Sequence, residues 1–341
     1  MNGSQKKFFQ IKALTVTTMQ HFRQIEPVPE KEIWAAIGAF DGVHIGHQQL
    51  IRSMVRSAQE KDVKTAVLTF YPHPSVIIRK IDEPFYLTSP DEKAEIFRQL
   101  GLDYTVTIPF DLQFANLLPE EFIQKLLANM PITRFWVGSD FAFGKKRSGN
   151  IQILSELGEQ YGFATTVFDY ILQDSSKVSS SHIREWVTKG EMEKAAHALG
   201  RPYSLQGRVV HGDERGRKIG FPTANLAVWE EKLLPPTGVY ATLAYIENKV
   251  YHSVSSVGFR PTFINDQEKP LVEVYVHNFN RSIYDLPLQL FFIKRLRPEL
   301  KFESVSALIE QIQNDVLNAE ELLKNVEDQT NLFIGSSAIT P

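Results

Sequence analysis

At Gly200-Arg201-Pro202 the hydrophobic period of this chain changes, and the change divides it into two halves that must fold differently. From Ile33 to Gly200, strand-like and helix-like segments alternate. Val63–Phe70, Tyr104–Pro109, Phe135–Val137 and Phe163–Tyr170 are β-rich runs. Between them stands Ser89-Pro90-Asp91-Glu92, a helix start with a cap, a proline in the first turn and a glutamate at the third position. Pro119-Glu120-Glu121 opens another helix, and Ile151–Tyr161 reads as a third. Such alternation predicts a doubly wound parallel sheet covered by helices on both faces. After Pro202 the pattern is different. Leu205–Val210, Val239–Ile246, Val250–Val257, Leu271–Phe279 and Leu288–Ile293 succeed one another with turns between them and no helix, which predicts a small antiparallel barrel. Leu308, Ile309, Ile312, Val316 and Leu323 then form a helical stripe suited to covering that barrel. The expected division is therefore an α/β domain over 1–200, a mainly β domain over 201–328, and a loose tail over 329–341.

At 341 residues the chain is long for one domain and comfortable for two. A net charge of −3 points to neither a nucleic acid nor a membrane surface as partner. With no cysteine it has no disulfides or thiolate metal sites, which fits a reducing compartment. Lys6, Lys7, Gln10 and Lys12 interrupt the apolar runs near the N-terminus, so a signal-peptide core is not expected. No stretch approaches the about twenty apolar residues of a membrane-spanning helix. A transporter or channel is thereby disfavoured, and a cytoplasmic location is expected.

The segment Gly38-Ala-Phe40-Asp41-Gly42-Val-His44-Ile-Gly46-His47 lies between an apolar run (Ile33, Trp34, Ala36, Ile37) and a helical face (Leu50, Ile51, Met54, Val55, Ala58). Two histidines three residues apart thus stand where a strand passes through a loop into a helix. A helix N-terminus offers unpaired N–H groups and a positive dipole end to an anion. Imidazoles there can hold phosphate oxygens, and the glycines let backbone approach. Packing or capping is the plainer use of the same residues, and the glycine spacing favours phosphate. Asp41 fits equally a metal ligand or a turn and capping group.

A second segment, Gly207-Arg-Val-Val-His211-Gly212-Asp-Glu-Arg-Gly-Arg-Lys-Ile-Gly220-Phe-Pro-Thr223-Ala-Asn225, follows in the other half. Together the two motifs resemble those of the bacterial bifunctional riboflavin kinase/FMN adenylyltransferases, over roughly Ile33 to Leu323. The resemblance implies a Rossmann-like nucleotidyltransferase domain followed by a riboflavin kinase barrel with a C-terminal helix. It implies that riboflavin is phosphorylated by ATP to FMN, and that AMP is then transferred from ATP to FMN to give FAD and pyrophosphate. Mg²⁺ is the implied metal, with riboflavin, FMN and ATP as small-molecule partners.

For adenylyl transfer the family pattern marks His44 and His47 as catalytic, with Gly38, Phe40, Asp41, Gly42 and Gly46 around the ATP phosphates. Val137-Gly-Ser-Asp140-Phe-Ala-Phe-Gly144-Lys-Lys-Arg147-Ser-Gly149 resembles the family's glycine-rich basic loop, which would bring Asp140 near nucleotide or flavin. As a Walker A loop it fails, because Gly138 and Gly144 are one residue too far apart and Lys146 stands where Ser or Thr should be. Ser179-Ser180-Ser181-His182-Ile183-Arg184 resembles a third motif. In it Ser181 would donate to phosphate and Arg184 would neutralise departing pyrophosphate; a serine run before a helix is otherwise an N-cap. Phe70-Tyr-Pro72-His73-Pro74 matches a loop that shapes a site wall, with His73 either packing or binding.

For the kinase, Glu273 matches the family's general base, and strand alternation puts Glu273 and Tyr275 on one face. Thr223 and Asn225 are hard oxygen donors suited to Mg²⁺; a turn after Gly220 with Asn225 bonding backbone is the plainer reading. Gly207, His211, Gly212, Gly216, Arg217 and Gly220 resemble parts of a flap over the nucleotide, and the individual roles of Arg215 and Arg217 stay open. The chain also departs from the pattern. Ser256 replaces Asn, and Tyr275, Asn278, Ser282 and Asp285 stand at the positions of His, Asp, Asp and Gly. Those departures keep two alternatives open: an adenylyltransferase with a weakened kinase, and a flavin-binding regulator without turnover.

Overall fold

A computed structural model describes residues 19–169, 178–212, 216, 219–260, 269–324 and 326. The expected tail over 329–341, and Arg215 and Arg217, lie outside the described residues. The chain forms two compact units, each assembled from separated stretches: Met1–Ala39, Gln49–Pro74 and Ala94–Asp169 in one, Phe40–Gln48, Ser75–Lys93 and Tyr170–Pro341 in the other.

The strands of the first unit are β1 (Gln20–Phe22), β2 (Ile33–Ile37), β3 (Lys64–Tyr71), β4 (Tyr104–Pro109), β5 (Ile132–Gly138) and β6 (Ala164–Phe168). All pair in parallel, in the order β1-β4-β3-β2-β5-β6. Every residue of β2 is buried, as a central strand covered on both faces requires. Among the described residues the α-helices are α1 (Ile45–Gln59), α2 (Pro74–Arg79), α3 (Pro90–Gln99), α4 (Leu112–Ala115), α5 (Pro119–Leu127), α6 (Ile151–Tyr161), α7 (Ser180–Lys189), α8 (Met192–Leu199) and α9 (Val305–Leu323). Ile33, Ala35, Ile37, Val106, Phe135 and Val137 pack with Phe122, Ile123 and Leu126 of α5 and Leu154 and Leu157 of α6. The helix expected at Ser89 starts with a reciprocal cap: Glu92 accepts from the Ser89 N–H at 2.7 Å, and Ser89 Oγ accepts from the Glu92 N–H at 3.1 Å. Asn150 caps α6 by accepting from the Ile153 N–H at 2.9 Å.

In the second unit β7 (Tyr203–Val210), β8 (Ala224–Val228), β9 (Gly238–Ile246), β10 (Lys249–Arg260), β11 (Lys269–Val276) and β12 (Pro287–Arg297) close an antiparallel barrel in the order β10-β11-β8-β7-β12-β9. Leu205, Leu226, Tyr240, Ala244, Val272, Val274, Leu288 and Phe292 belong to its core, which continues into Ile183 and Val187 of α7 and Met192 and Leu199 of α8. Against the other face of β9, α9 lays Ala319 and Leu323 on Ala241, Leu243 and Tyr245. The same helix is tied to β12 by the buried Asp315, which accepts from Arg297 Nη2 at 2.8 Å.

The fold class is the expected one, with two additions. The three-residue β1 is too short for a periodicity to register. In β8 the run Ala-Asn-Leu-Ala-Val has few strong strand formers, and pairing with β7 and β11 supplies what propensity does not.

Candidate functional sites

The histidine segment is a tight loop feeding α1. Phe40, Gly42 and Val43 all adopt positive φ, at 48°, 76° and 39°. For buried Phe40 and β-branched Val43 this is backbone strain, typically about 1–3 kcal/mol each, held in place by the surroundings. Two long side chains bind the loop carbonyls. Gln48 Nε2 donates to Val43 O at 2.9 Å and Leu199 O at 2.8 Å, and Arg201 donates to Gly42 O at 2.7 Å. Burial pulls the Arg201 guanidinium down to about 10, so it stays cationic at neutral pH. Gly42 is required here, since its φ favours glycine and a Cβ would lie 2.9 Å from Leu87 Cδ1.

His44 and His47 stack, with ring centroids 3.6 Å apart and planes 20° from parallel. His44 Nδ1 accepts from the His47 N–H at 3.4 Å, so one imidazole also caps the helix. The edge of Phe40 meets His47 at 5.0 Å. Burial, then the neighbouring His44 and Lys93, push the His47 pKa well below the usual histidine value. The His47 ring therefore meets neutral pH uncharged, as a hydrogen-bonding group. His47 Nδ1 is buried with no partner among the described residues, a polar atom left for a ligand. Gly46 is buried in the first turn of α1.

Lys93 belongs to this site although motif reading did not mark it. It is 2 % exposed, and burial, opposed by Asp41, pulls its ammonium down to about 8. A lysine in the first turn of a helix works against the dipole, and that mismatch was the available signal.

Asp41 is 1 % exposed and accepts hydrogen bonds from the Leu87 and Thr88 backbone, from Thr88 Oγ1 and from Arg184. These donors lie 46, 47 and 143 positions away along the chain, so Asp41 ties distant segments together rather than closing its own turn or capping α1. Arg184 meets Asp41 Oδ2 at 2.7 Å and lies 3.7 Å over the Phe85 ring. Ser180, not singled out by sequence, donates to Asp41 O at 2.8 Å. Ser179 is the cap of α7, and Ser181 is exposed in its first turn.

The residues that the resemblance assigns to a kinase lie on the outer wall of the barrel. In the strand register Asn225 of β8 stands between Val210 of β7 and Glu273 of β11, and Glu273 stands beside Ser256 of β10. Directly opposed antiparallel residues share a face. Val272 and Val274 point to the core, so Glu273 and Tyr275 point outward. Asn225 is 7 % exposed, and its Oδ1 is buried without a hydrogen-bond donor among the described residues. Thr223, two residues earlier, is half-buried. An acceptor oxygen lacking a donor suits a hard cation, so Asn225 and Thr223 fit a Mg²⁺ site. Gly212 lies against Asn225, where a Cβ would come within 2.0 Å of Nδ2.

The remaining expected residues divide. Gly220, at φ 90°, closes a turn in which the Phe221 N–H donates to Gly216 O at 2.9 Å. His211 is exposed and stacks on Tyr284 at 3.7 Å. Gly207 departs from the flap reading: it lies inside β7, within the run Leu205–Val210 that also reads as a strand, and pairs with Val228 and Leu288. Among the family departures, Tyr275 meets the Phe221 ring edge-on at 5.4 Å. Asn278 and Asp285 take positive φ of 52° and 63°, so Asp285 keeps a left-handed backbone where the family has Gly. Gly38, Pro72, His73 and Asp140 are in the first unit. Gly38 ends β2 with its N–H on Leu68 O, Pro72 and His73 follow β3, and Asp140 is exposed after β5. Near Asp140, Phe143 and Gly149 pair to close the exposed turn Lys145–Arg147.

The FAD synthetase family model matches residues 27–182, and the riboflavin kinase family model matches residues 199–323. The chain is 39% identical over 294 residues to the bifunctional riboflavin kinase/FMN adenylyltransferase of Listeria monocytogenes, covering 86% of this chain and 93% of that one. It is 37% identical to the protein of the same name from Bacillus subtilis, covering 85% and 92%. A solved structure described as a macrolide-efflux protein from Streptococcus pneumoniae matches with a TM-score of 0.80 at 28% identity, over 91% of this chain and 99% of that one. In the present chain no helix among the described residues is long and apolar enough to cross a membrane.

Proposed function

The chain belongs to the bifunctional riboflavin kinase/FMN adenylyltransferases, and on that premise we propose where its two reactions run. The enzyme phosphorylates riboflavin with ATP and then transfers AMP from a second ATP to the FMN formed, releasing pyrophosphate and leaving FAD. We assign adenylyl transfer to 1–200 and phosphorylation to 201–328, a division supported by the matched stretches 27–182 and 199–323.

In adenylyl transfer the FMN phosphate attacks the α-phosphorus of ATP in line, so no covalent enzyme intermediate is needed. What the chain supplies is alignment and stabilisation of charge on the equatorial oxygens. His44 and His47 donate to those oxygens at the start of α1, and the partnerless Nδ1 of His47 supports this. Gly38, Phe40, Gly42 and Gly46 shape the loop around them. Lys93 adds a buried cation, and Ser181 and Arg184 face the β- and γ-phosphates. Asp140, Pro72 and His73 contact nucleotide or flavin in this reading.

In the kinase reaction Glu273 takes the proton of the riboflavin 5′-hydroxyl, whose oxygen attacks the γ-phosphorus while ADP leaves. General-base help of this kind is worth roughly 10²–10⁴-fold. Thr223 and Asn225 would hold Mg²⁺, which when bound neutralises phosphate charge. His211, Gly212 and Gly220 close over the nucleotide. Cytoplasmic ATP serves both reactions.

The observation that carries the kinase assignment is the cross-strand pair Asn225–Glu273, with the Asn225 oxygen lacking a donor. The test is chromatographic: pure protein with riboflavin, ATP and Mg²⁺, and in parallel with FMN, ATP and Mg²⁺. FMN and FAD in the first tube are expected. FAD in the second tube only would mean a silent kinase barrel, and product in neither would leave a flavin-binding regulator.

A further inference from the structure

We propose that Asp41 is a positioning residue for adenylyl transfer, one that touches neither substrate nor metal and acts by aiming the Arg184 guanidinium at the triphosphate of ATP. The proposal rests on the functional reading above and narrows it.

The carboxylate has little left to offer a ligand. Oδ1 accepts from the Leu87 N–H and the Thr88 N–H, both at 3.1 Å, and from Thr88 Oγ1 at 3.2 Å. Oδ2 accepts from the Leu87 N–H at 3.1 Å and from Arg184 Nη2 at 2.7 Å. An ionised carboxylate presents about four lone-pair sites, and these donors take them up. A divalent cation would have to displace backbone N–H groups at a side chain that is 1 % exposed.

Arg184 is fixed on two further sides. Its Nε donates to Phe85 O at 3.0 Å, and its guanidinium lies 3.7 Å over the Phe85 ring. One carboxylate, one carbonyl and one aromatic face together set the plane and rotation of a rigid fork. Nη1 has no partner among the described residues, so it is the edge left for a phosphate. Ser180 Oγ donates to Asp41 O at 2.8 Å, so the first turn of α7, which also carries Ser181, is hooked to the same residue. In chain order Asp41 stands three residues before His44. A single side chain thus sets the register of the histidine loop against the arginine.

Charge argues for the same conclusion. Pairing Arg184 with Asp41 lowers the net positive charge offered to ATP, so the pair is a poor device for simple attraction. Its gain is direction. Removing the Asp41 charge should leave ATP binding intact while misplacing the donor in the transition state.

The experiment uses the full chain with Asp41→Asn, Arg184→Gln and the double variant. FAD formation from FMN is followed against ATP and Mg²⁺, with riboflavin phosphorylation as the parallel reaction. For Asp41→Asn, kcat for FAD formation should fall about 100-fold, the cost of a misplaced group. KM for ATP should stay within about threefold, since ground-state binding is untouched. The Mg²⁺ concentration for half activity and the riboflavin phosphorylation rate should not move. The double variant should lose no more than Arg184→Gln alone, because the two act as one. Rescue of Asp41→Asn by excess Mg²⁺ would make Asp41 a metal ligand and overturn the proposal. So would losses that multiply in the double variant, or equal loss of both reactions. If Asp41→Asn does not fold, Arg184→Gln decides alone, and unchanged FAD formation overturns the proposal. A wild-type chain that makes no FAD would overturn the functional reading and this proposal with it.

Discussion

A buried lysine close to two stacked histidines makes the pH dependence of FAD formation a sharp test at the residue scale. The Lys93 ammonium, pulled down to about 8 by burial, loses its proton above that pH, while His47 stays neutral through the usual histidine range. FAD formation should therefore decline on an alkaline limb near pH 8 and show no acid limb at about 6.5 from His47. In Lys93→Met the alkaline limb should vanish along with much of the rate; a limb unchanged in that variant would assign it to another group. The stability sign follows from the same depression. Below the ordinary histidine pKa of about 6.5 the unfolded chain takes up a proton that folded His47 refuses, so His47 makes the fold less stable as pH falls through that window. Thermal melts of His47→Gln should lose less Tm between pH 7 and 5 than the parent chain. His47→Ala should abolish FAD formation and leave FMN formation in place, and Glu273→Gln should do the reverse by roughly 10²-fold or more. His44, His47, Asn225 and Glu273 were all legible as motif letters. Lys93 was not, because its role depends on burial and on His47, 46 positions earlier.

Elements place these groups. A capping box starts α3, Ser179 starts α7 and Ser304 starts α9, each with the side-chain oxygen accepting from the backbone. These starts follow from local chemistry, and the helix at Ser89 was anticipated to the residue. Strand β8 was not, because only its neighbours β7 and β11 make Ala224–Val228 extended. At the return from β11 to β12, Asp285 stands with φ 63° where the family pattern has Gly. Its N–H still reaches Val209 O at 2.9 Å, and Arg208 Nη1 donates to Asp285 O at 3.0 Å, so the connection keeps its form. Left-handed backbone costs an L-residue about 1–2 kcal/mol, less for Asp. Asp285→Gly should thus raise stability by up to about 1 kcal/mol in urea melts and leave riboflavin phosphorylation unchanged. A several-fold change in that rate would instead make the departure functional.

Across the molecule, residues 85–93 are part of the same unit as the barrel. Phe85 and Tyr86 donate backbone N–H groups to Glu231 O, and the Leu233 N–H donates to Tyr86 O. Beneath this pairing Lys232 Nζ meets Glu92 Oε2 at 2.6 Å, with the side chains 3 % and 10 % exposed. Breaking a buried ion pair from one side leaves a stranded charge, at a cost of about 3–5 kcal/mol. Lys232→Met should cost about that much in urea melts, and adding Glu92→Gln should restore part of it. If the double variant is no better than the single, the pair is not an isolated charge balance. Because Leu87 and Thr88 also hold Asp41, FAD formation should suffer in Lys232→Met at temperatures where the chain remains folded.

From the chain itself came the parallel sheet, the barrel, the covering helix and the motif residues. Each is written in a local period or a fixed spacing that the backbone obeys wherever it lies. Tertiary structure alone decided what those residues meet. Asp41 meets Leu87 across 46 positions and Arg184 across 143, and Asn225 meets Glu273 only because β8 pairs with β11 in one register. A carboxylate in a loop looks the same in sequence whether it binds a metal or holds an arginine. Only the donors packed around it settle which.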